Sequence, residues 1–528
     1  MFLSEKKYVR ILLSYFFFAC SLLITSWAKL KKYPNILLIT ADDLGWNSLG
    51  CTGNSLTGIS PHLDNLAREG ILIENCHIAT PICGPSRHAL YTGQFPHRTG
   101  YLGHGKQPPR WWLELKRIPV KKSITSVLHD YGYVTGLIGK HGTDWCSFST
   151  SPAGSNVDTG MGRNPEKYFT FAREFMDQTN KEGKPFFLSA NAHDPHRYWA
   201  RHRDETNTWI KAMMGTANWR PFENGKPYPD PLTQFAPKDC PIPDSYPEAP
   251  FLRSELAKYY DSVNRMDQVV GELLHALEET GLDQNTIVIF LSDHGLAWDM
   301  SKWSLYPAGT KTPLIIRWPN KIEPTQYNQK SLVSVVDLAP TIAEMCGLPP
   351  MEGVDGKSFL SLLCGAGTRW ERTEAFSCFN YMNNDAELDR MVASYSPDLY
   401  RKMDQYRPSR ALSSIKFNYI WNGWADGNTS LPRSMLGDFA NFLRGNSERS
   451  EQYADRLNFI NHRIVEELYD LRKDPGCLNN LAGNKNSHNV MKEFRTKMAN
   501  FLRKTQDHEL GNYLTFLDTR QKSNHSPE

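Results

Sequence analysis

The 528-residue sequence lacks several features that would assign it to a specialised class of protein. It contains no C-x-x-C pair, no Cys/His cluster with zinc spacing, no internal repeat and no low-complexity tract. These absences argue against a structural zinc site and a repeat architecture. Because the net charge is only +3, the sequence also lacks the basic excess of a nucleic-acid-binding protein. What remains is a globular chain whose length predicts about two domains.

The N-terminus has the composition of a secretion signal. Basic residues precede an apolar run over residues 11–24, and Ser26 and Ala28 place small side chains where a signal peptidase cleaves. The run is shorter than the roughly 20 residues of a membrane span. We therefore expect a cleaved signal over residues 1–28, a secreted or periplasmic protein and no stable membrane insertion. The alternatives are a membrane anchor and a lipid anchor at Cys20.

Eight cysteines remain when Cys20 and Cys83 are set aside. An oxidising compartment would permit disulfides among them, and the sequence leaves their pairing open. They are Cys51, Cys76, Cys146, Cys240, Cys346, Cys364, Cys378 and Cys477.

Three short apolar runs, residues 35–40, 186–190 and 286–292, each end in a polar cluster. Runs of this kind form buried parallel strands. Because ligands of open α/β sheets bind beyond the carboxyl ends of the strands, we expect one site assembled from distant parts of the chain. The side chains that follow the three runs are Asp42, Asp43, His193, Asp293 and His294.

The spacing of apolar residues predicts further elements. A helix is expected over residues 256–277, a strand over 313–318 and a helix over 337–346. After about residue 366, short alternating runs such as 415–421 indicate antiparallel strands, and residues 490–503 predict a terminal helix. The chain is thus expected to have an α/β domain followed by a smaller domain.

The segment Cys83-Gly84-Pro85-Ser86-Arg87 predicts the start of a helix that ends near Gly93. At a helix N-terminus the free backbone N–H groups favour an anion, and a guanidinium one turn later adds a forked donor. Cys83 and Arg87 are therefore candidate residues of a site for a tetrahedral oxyanion. The alternative is a half-buried structural cysteine.

This segment, with Thr92 and Gly93, resembles the signature of type I sulfatases, in which the cysteine is oxidised to formylglycine. Further segments resemble family landmarks in family order: residues 35–43, 60–64, 292–295, 467–471 and 474–475. The resemblance, which spans about residues 35–482, implies an alkaline-phosphatase-like sandwich with a large, mixed, mostly parallel sheet flanked by helices. It also implies a smaller C-terminal α+β domain with an antiparallel sheet, so the expected boundaries are 1–28, 29–366 and 367–528.

The resemblance implies a sulfatase mechanism. Formylglycine at residue 83, made by a formylglycine-generating or other sulfatase-maturing enzyme, attacks sulfur as its hydrate, and its second hydroxyl later expels sulfate. Calcium would be bound by Asp42, Asp43, Cys83, Asp293 and His294, because three carboxylates without a counter-cation would repel one another. Arg87, Lys140 and Lys302 are the cations expected to face the sulfuryl oxygens. His193 would protonate the leaving group or bind sulfate; its alternative role is structural.

One region departs from the family pattern. His141 follows Lys140 directly, whereas the family signature has a spacer between lysine and histidine. Either the loop bends to deliver His141, or His97 or His104 takes its role.

The expected substrate is a sulfated carbohydrate. Tryptophans in predicted rim loops, among them Trp199, Trp298 and Trp303, could pack on sugar rings. The segments around His193 and Lys302 are similar to those of glycosaminoglycan sulfatases, including sulfamidases that cleave N-sulfate. The alternatives are a sulfamidase rather than an O-sulfatase, a phosphoesterase of the alkaline-phosphatase superfamily, and a glycan-binding protein without activity.

Overall fold

The computed structural model describes a large part of the chain, and the remaining residues, with His104, His141 and the expected signal among them, lie outside it. The described residues are 33–103, 122–140, 163–197, 199, 222–223, 226–227, 229–365, 370–380, 406–428 and 438–523.

Thirteen strands lie within the described residues. In chain order they are β1 Asn35–Ala41, β2 Ile71–His77, β3 Val134–Gly139, β4 Phe186–Asn191, β5 Phe222–Glu223, β6 Lys226–Pro227, β7 Thr286–Ser292, β8 Lys311–Arg317, β9 Gln326–Ser334, β10 Ala375–Phe379, β11 Ser409–Ser413, β12 Phe417–Asn422 and β13 Glu466–Asp470.

The α-helices of the same part of the chain range from single turns to 30 residues. They are α1 Pro61–Arg68, α2 Cys83–Thr92, α3 Pro96–Thr99, α4 Ile124–Asp130, α5 Pro165–Lys181, α6 Pro250–Glu279, α7 Pro307–Thr310, α8 Leu338–Met345, α9 Leu360–Leu363, α10 Asp438–Asn446, α11 Glu451–Asn461, α12 His488–Lys504 and α13 Leu510–Ser523.

Seven strands form a mixed sheet in the order β3-β4-β1-β7-β8-β2-β9. Strands β3, β4, β1 and β7 run parallel, β8 is antiparallel to both of its neighbours, and β2 and β9 are parallel. The expectation of a large, mostly parallel sheet flanked by helices is confirmed.

Strand β1 lies near the middle of this sheet and is apolar on both faces. Leu37 and Ile39 pack into one buried cluster, whereas Ile36 and Leu38 pack into the other. A strand covered on both sides reads as a continuous apolar run because neither face meets water. This explains why the three runs that lead to the predicted site could be recognised in the sequence.

Strands β10, β11, β12 and β13 form a second, antiparallel sheet, as expected. The two sheets share their apolar clusters, since Ile420 packs in the cluster of Leu37 and Trp421 in that of Ile36. The helix predicted over 490–503 is α12, but it is not the last one, because α13 follows it. The expected boundary at residues 366 and 367 falls outside the described residues.

No disulfide joins the cysteines within the described residues. Most of them are buried, and burial raises the pKa of the Cys346 and Cys378 thiols to about 12. Such thiols stay protonated and act as small apolar side chains. In the part of the chain that the structure describes, no helix combines the length and the apolar composition needed to cross a membrane.

Candidate active site

The candidate site lies where four parallel strands end together. Ala41 of β1 is level with Ser292 of β7, and Asn191 of β4 is level with both Thr40 and Gly139. The residues that follow these strands therefore emerge at one edge of the sheet. They are Asp42, Asp43, Lys140, His193, Asp293 and His294.

Cys83 is the first residue of α2 and faces this edge. Its side chain is almost fully buried, with 4% of its surface exposed. Sγ lies 3.2 Å from Nε2 of His294, 3.5 Å from Oδ1 of Asp42 and 3.6 Å from Nζ of Lys302. The structure thus joins the predicted nucleophile to residues up to 219 positions away in the chain.

Each of the three carboxylates has a basic partner. Lys302 Nζ lies 2.8 Å and 2.9 Å from the two carboxylate oxygens of Asp43, and Lys140 pairs with Asp42. These lysines supply part of the counter-charge that the converging carboxylates need. Lys302 neutralises the charge of Asp43 and Lys140 that of Asp42. The sequence alone could not show these pairs, because they depend on the course of the loops.

Arg87 pairs with the third carboxylate. Its Nε donates to Oδ2 of Asp293 over 3.0 Å and its Nη1 to Oγ1 of Thr40 over 2.6 Å. Ser86 adds a hydrogen bond to the backbone oxygen of Asp293. These contacts fix α2 to the ends of β1 and β7, and Arg87 holds Asp293 in position.

The charges of the site shift the pKa values of its residues. Burial, together with the neighbouring Asp42 carboxylate, raises the pKa of Asp293 to about 6 in spite of Arg87. Burial alone would lower the pKa of His294, but Asp293, Cys83 and Asp43 outweigh it and raise that pKa to about 9. The carboxylates and the Cys83 thiol thus favour positive charge at the His294 ring.

The geometry fits a divalent metal ion. One ligand atom from each of Asp42, Cys83, Asp293 and His294 lies within 4.8 Å of every other, and a second set contains Asp42, Asp43, Cys83 and His196. Calcium binds oxygen ligands at 2.3–2.6 Å, so ligands on opposite sides of the ion are about 5 Å apart. Carboxylate oxygens are ligands that this hard cation prefers.

The comparison with protein families identifies the family of this chain. The family model described as Sulfatase matches residues 34–348, which is more than half of the chain. The chain belongs to the sulfatase family. It is thus an enzyme of the sulfuric ester hydrolase type, and the strand-end cluster around Cys83 is the candidate active site of this sulfatase.

Two curated relatives cover most of this sulfatase. The ulvan-active sulfatase of Formosa agariphila is 28% identical over 490 residues, covering 90% of this chain and 75% of the relative. The human N-sulphoglucosamine sulphohydrolase is 28% identical over 501 residues, covering 92% and 93%.

Solved structures share the fold. A structure in complex with its substrate D-glucosamine-2-N,6-O-disulfate aligns with a TM-score of 0.60 at 18% identity, covering 90% of this chain and 99% of that one. The phosphonate monoester hydrolase of Agrobacterium radiobacter aligns with a TM-score of 0.61 at 17% identity, covering 89% and 96%. The alkaline-phosphatase-like fold is thereby confirmed.

The candidate histidines within the described residues lie in different environments. His193 lies two residues after β4, is half-buried, and accepts a backbone hydrogen bond from His196. The ring of His196, on the same loop, also approaches the carboxylates, with Nε2 3.6 Å from Oδ2 of Asp43. His97 is buried against Phe95, with Nδ1 3.5 Å from Asp507.

Sequence reasoning missed the residues that hold this histidine loop. Asp194 is buried and receives hydrogen bonds from Nε and Nη2 of Arg265 at 2.7 Å and 3.2 Å, and Arg163 Nε lies 2.7 Å from its Oδ1. The backbone oxygen of Asp194 accepts from the N–H of Asp42. Arg265 sits within the long helix α6 next to apolar positions, so nothing in the sequence pattern pointed to it.

The tryptophans expected at the rim differ in their burial. Trp199 and Trp298 are buried, with ring centroids 6.0 Å apart, so their expected place on the rim is wrong. Trp303 is half-buried beside Lys302.

Proposed function

We propose that this protein is a secreted sulfatase that hydrolyses sulfate from a sulfated carbohydrate, with formylglycine made from Cys83 and one bound calcium ion. The observation that carries the proposal is the surrounding of Cys83. Its sulfur lies within 3.6 Å of the Lys302 ammonium, the His294 ring and a carboxylate oxygen of Asp42. A structural cysteine would need none of these charged neighbours.

The residues around Cys83 fit both a formylglycine and a calcium ion. Asp42, Asp43, Asp293 and His294 would hold the calcium, and an oxygen on residue 83 would complete the set, because Sγ already belongs to both groups of potential ligands. When present, the formylglycine hydrate supplies two hydroxyls, one as the nucleophile and one whose deprotonation expels sulfate, and calcium stabilises the charge on its ligand oxygens.

Side chains of this protein orient the residues of the site and neutralise charge within it. Lys302 lies 3.6 Å from Sγ, so its ammonium faces the place where a sulfuryl group on residue 83 gathers negative charge. Lys140 pairs with Asp42 and balances the charge of that carboxylate. Arg87 keeps Asp293 in place. We assign proton donation to the leaving group to His193 or to His196, both of which lie on the loop held by Asp194.

The substrate class is supported by the relatives. One acts on ulvan and one is a sulphohydrolase of N-sulphoglucosamine, and a third protein of the same fold was solved with a disulfated glucosamine. These names favour a sulfated saccharide, with N-sulfate and O-sulfate both open. The phosphonate monoester hydrolase of the same fold supports the alternative of a phosphoesterase.

The proposal also includes secretion and a partner enzyme that oxidises Cys83. It places the domain boundaries at 29–366 and 367–528. The signal-like composition of residues 1–28 supports export, and a buried thiol at a helix N-terminus supports dedicated maturation. His141 lies outside the described residues and keeps its proposed place beside Lys140.

A substrate panel tests the proposal. Protein produced together with a sulfatase-maturing enzyme is given N-sulfated and O-sulfated oligosaccharides, an aryl sulfate and a phosphate monoester, with Cys83→Ala as the control. We expect sulfate release from at least one saccharide and none from the control. Efficient cleavage of the phosphate ester, with every sulfate left intact, would favour the phosphoesterase.

A further inference from the structure

The cluster around Cys83 presents different ligand atoms before and after the oxidation of this residue. A formylglycine hydrate offers oxygen, which calcium prefers, whereas the cysteine of the newly made chain offers sulfur, which thiophilic metals such as zinc prefer. The structure contains the cysteine, so its distances describe the site before maturation. The immature protein and the finished enzyme can therefore prefer different metal ions.

Four ligand atoms around Cys83 have the spacing of a small metal site. Its Sγ is 3.2 Å from Nε2 of His294 and 3.5 Å from Oδ1 of Asp42. The same Nε2 is 3.9 Å from Oδ1 of Asp293. Zinc bonds of about 2.0–2.3 Å place tetrahedral ligands roughly 3.4–3.6 Å apart, in the middle of these spacings. One sulfur, one nitrogen and two oxygens are thus arranged as zinc requires.

The imidazole of His294 is oriented as a metal ligand. Its Nδ1 lies 2.9 Å from the backbone oxygen of Gly295, and Nδ1 carries the hydrogen because a carbonyl oxygen can only accept. Nε2 is the atom turned to the sulfur of Cys83. A hydrogen bond from the second ring nitrogen to a carbonyl is the usual arrangement of a histidine bound to zinc. The ring is fully buried, so it is held in this orientation.

The two carboxylates of the set turn one oxygen to the cluster and the other to a basic side chain. Oδ2 of Asp42 pairs with Lys140, and Oδ2 of Asp293 accepts a hydrogen bond from Nε of Arg87. The Oδ1 atoms approach the sulfur and the imidazole. Oδ1 of Asp293 also accepts the backbone N–H of Asp43, which leaves it a second lone pair. Outer partners of this kind orient ligating carboxylates towards a metal ion.

We propose that the immature, cysteine-containing protein binds one zinc ion with these four side chains. They are Asp42, Cys83, Asp293 and His294. On coordination the metal ion replaces the thiol proton, which passes to solvent. Maturation removes the sulfur ligand, and the zinc site then becomes a calcium site. The inference rests on the proposed function, because it assumes that Cys83 is converted to formylglycine.

Two preparations of the wild-type protein test the inference without a substitution. One is made without a maturing enzyme and one with it, and the mass of the peptide shows whether residue 83 is cysteine or formylglycine. Cobalt(II), a spectroscopic substitute for zinc, should give a thiolate-to-metal charge-transfer band in the cysteine form alone. One equivalent of zinc should abolish this band. The zinc Kd of the cysteine form should be lower by about a hundredfold or more, the share of one ligand in a four-ligand site.

Substitutions locate the metal ion. Cys83→Ser should remove the charge-transfer band and weaken zinc binding about a hundredfold or more, again the share of one ligand. Cys364→Ser, a change at an exposed cysteine, is the control and should leave the spectrum and the zinc Kd unchanged. Thermal unfolding shows whether both variants are folded, and the two wild-type preparations decide the question if one is not.

The outcomes separate the inference from the proposed function. A band that persists in Cys83→Ser, no zinc binding by the cysteine form, or equal zinc affinity of the two wild-type preparations would overturn the zinc site. If residue 83 stays cysteine in an active enzyme, or if formylglycine-containing protein releases no sulfate, the proposed function fails. The cobalt spectrum of the cysteine form still decides whether zinc binds at Cys83.

Discussion

The ammonium group of Lys302 lies between the two carboxylate oxygens of Asp43, 2.8 Å from one and 2.9 Å from the other. Both residues are buried, and Asp43 raises the pKa of Lys302 against the effect of burial. The same ammonium is 3.6 Å from Sγ of Cys83, so one cation links a proposed metal ligand to the nucleophile. Loss of Lys302 would therefore affect both the charge of the site and the reacting group.

Formylglycine formation can be read from the mass of one peptide. In protein produced with a maturing enzyme, the peptide containing residue 83 should be about 18 Da lighter than its cysteine form, since sulfur is replaced by oxygen with loss of hydrogen. Cys83→Ala should abolish turnover and leave thermal unfolding nearly unchanged, because the site is built on rigid strand ends. A fully active enzyme with an unmodified Cys83 would contradict the mechanism.

Calcium should stabilise the folded enzyme. Ligand binding to the native state alone raises the free energy of unfolding by about 2.7 kcal/mol at a hundred times the Kd. We expect calcium added to chelator-treated protein to raise the melting temperature and to restore activity. Asp43→Asn should weaken this shift, whereas Asp283→Asn, a change of a residue in an exposed turn, should preserve it. Stoichiometric zinc in place of calcium would favour the phosphoesterase.

Lys302→Ala should lower turnover of sulfate esters by about a hundredfold or more, the range for deleting one preorganised charge-stabilising donor. Lys311→Ala is a control of similar burial, because Lys311 pairs with Glu74 and does not contact Cys83. Steady-state kinetics on an aryl sulfate measure both variants. A loss confined to KM would show that Lys302 binds substrate and transition state equally.

The proton donor can be identified from leaving-group dependence. A sugar leaving group needs a proton, whereas the phenolate of an activated aryl sulfate departs unaided. If His193 is the donor, His193→Ala should reduce turnover of saccharides far more than that of the aryl sulfate. His196→Ala is the matched comparison on the same loop. Equal losses on both substrates would assign the substituted histidine to sulfate or metal binding.

Acid should weaken the fold through buried histidines such as His77. Burial, assisted by Lys311, lowers the pKa of His77 from 6.5 to about 3, so the proton binds to the unfolded chain first. The stabilisation is complete above pH 6.5 and is lost as the pH falls from 6.5 towards 3, by about 1.4 kcal/mol per pH unit. His77→Gln should remove this part of the pH dependence. Denaturant unfolding of both proteins at several pH values measures the difference, and parallel curves would contradict it.

Much of the fold was accessible from the sequence because buried parallel strands are apolar along their whole length. Strand β7 occupies the predicted residues 286–292, and α2 begins at Cys83 as expected. The polar residues after the strands were found for the same reason, since a parallel sheet brings its carboxyl ends together.

The pairing of charges within the site was not accessible. Lys302 meets Asp43 across 259 residues, and Asp194 meets Arg265 across 71, and no local pattern encodes either contact. His196 and His193 lie on one short loop, so their spacing could not show which ring faces Asp43. Only the course of the loop after β4 decides it.

The position of β1 between β4 and β7 has a consequence for biosynthesis. β1 leaves the ribosome early, but its partners begin at residues 186 and 286, and Lys302 comes later still. At 5–20 residues per second, about 10 to 50 s of translation separate β1 from the last residue of the reaction centre. For most of that interval at least one edge of an apolar strand lacks its partner, because β7 is made about 100 residues after β4, and exposed edges promote aggregation. The nascent protein thus depends on protection during synthesis, and slower translation would lengthen its exposure.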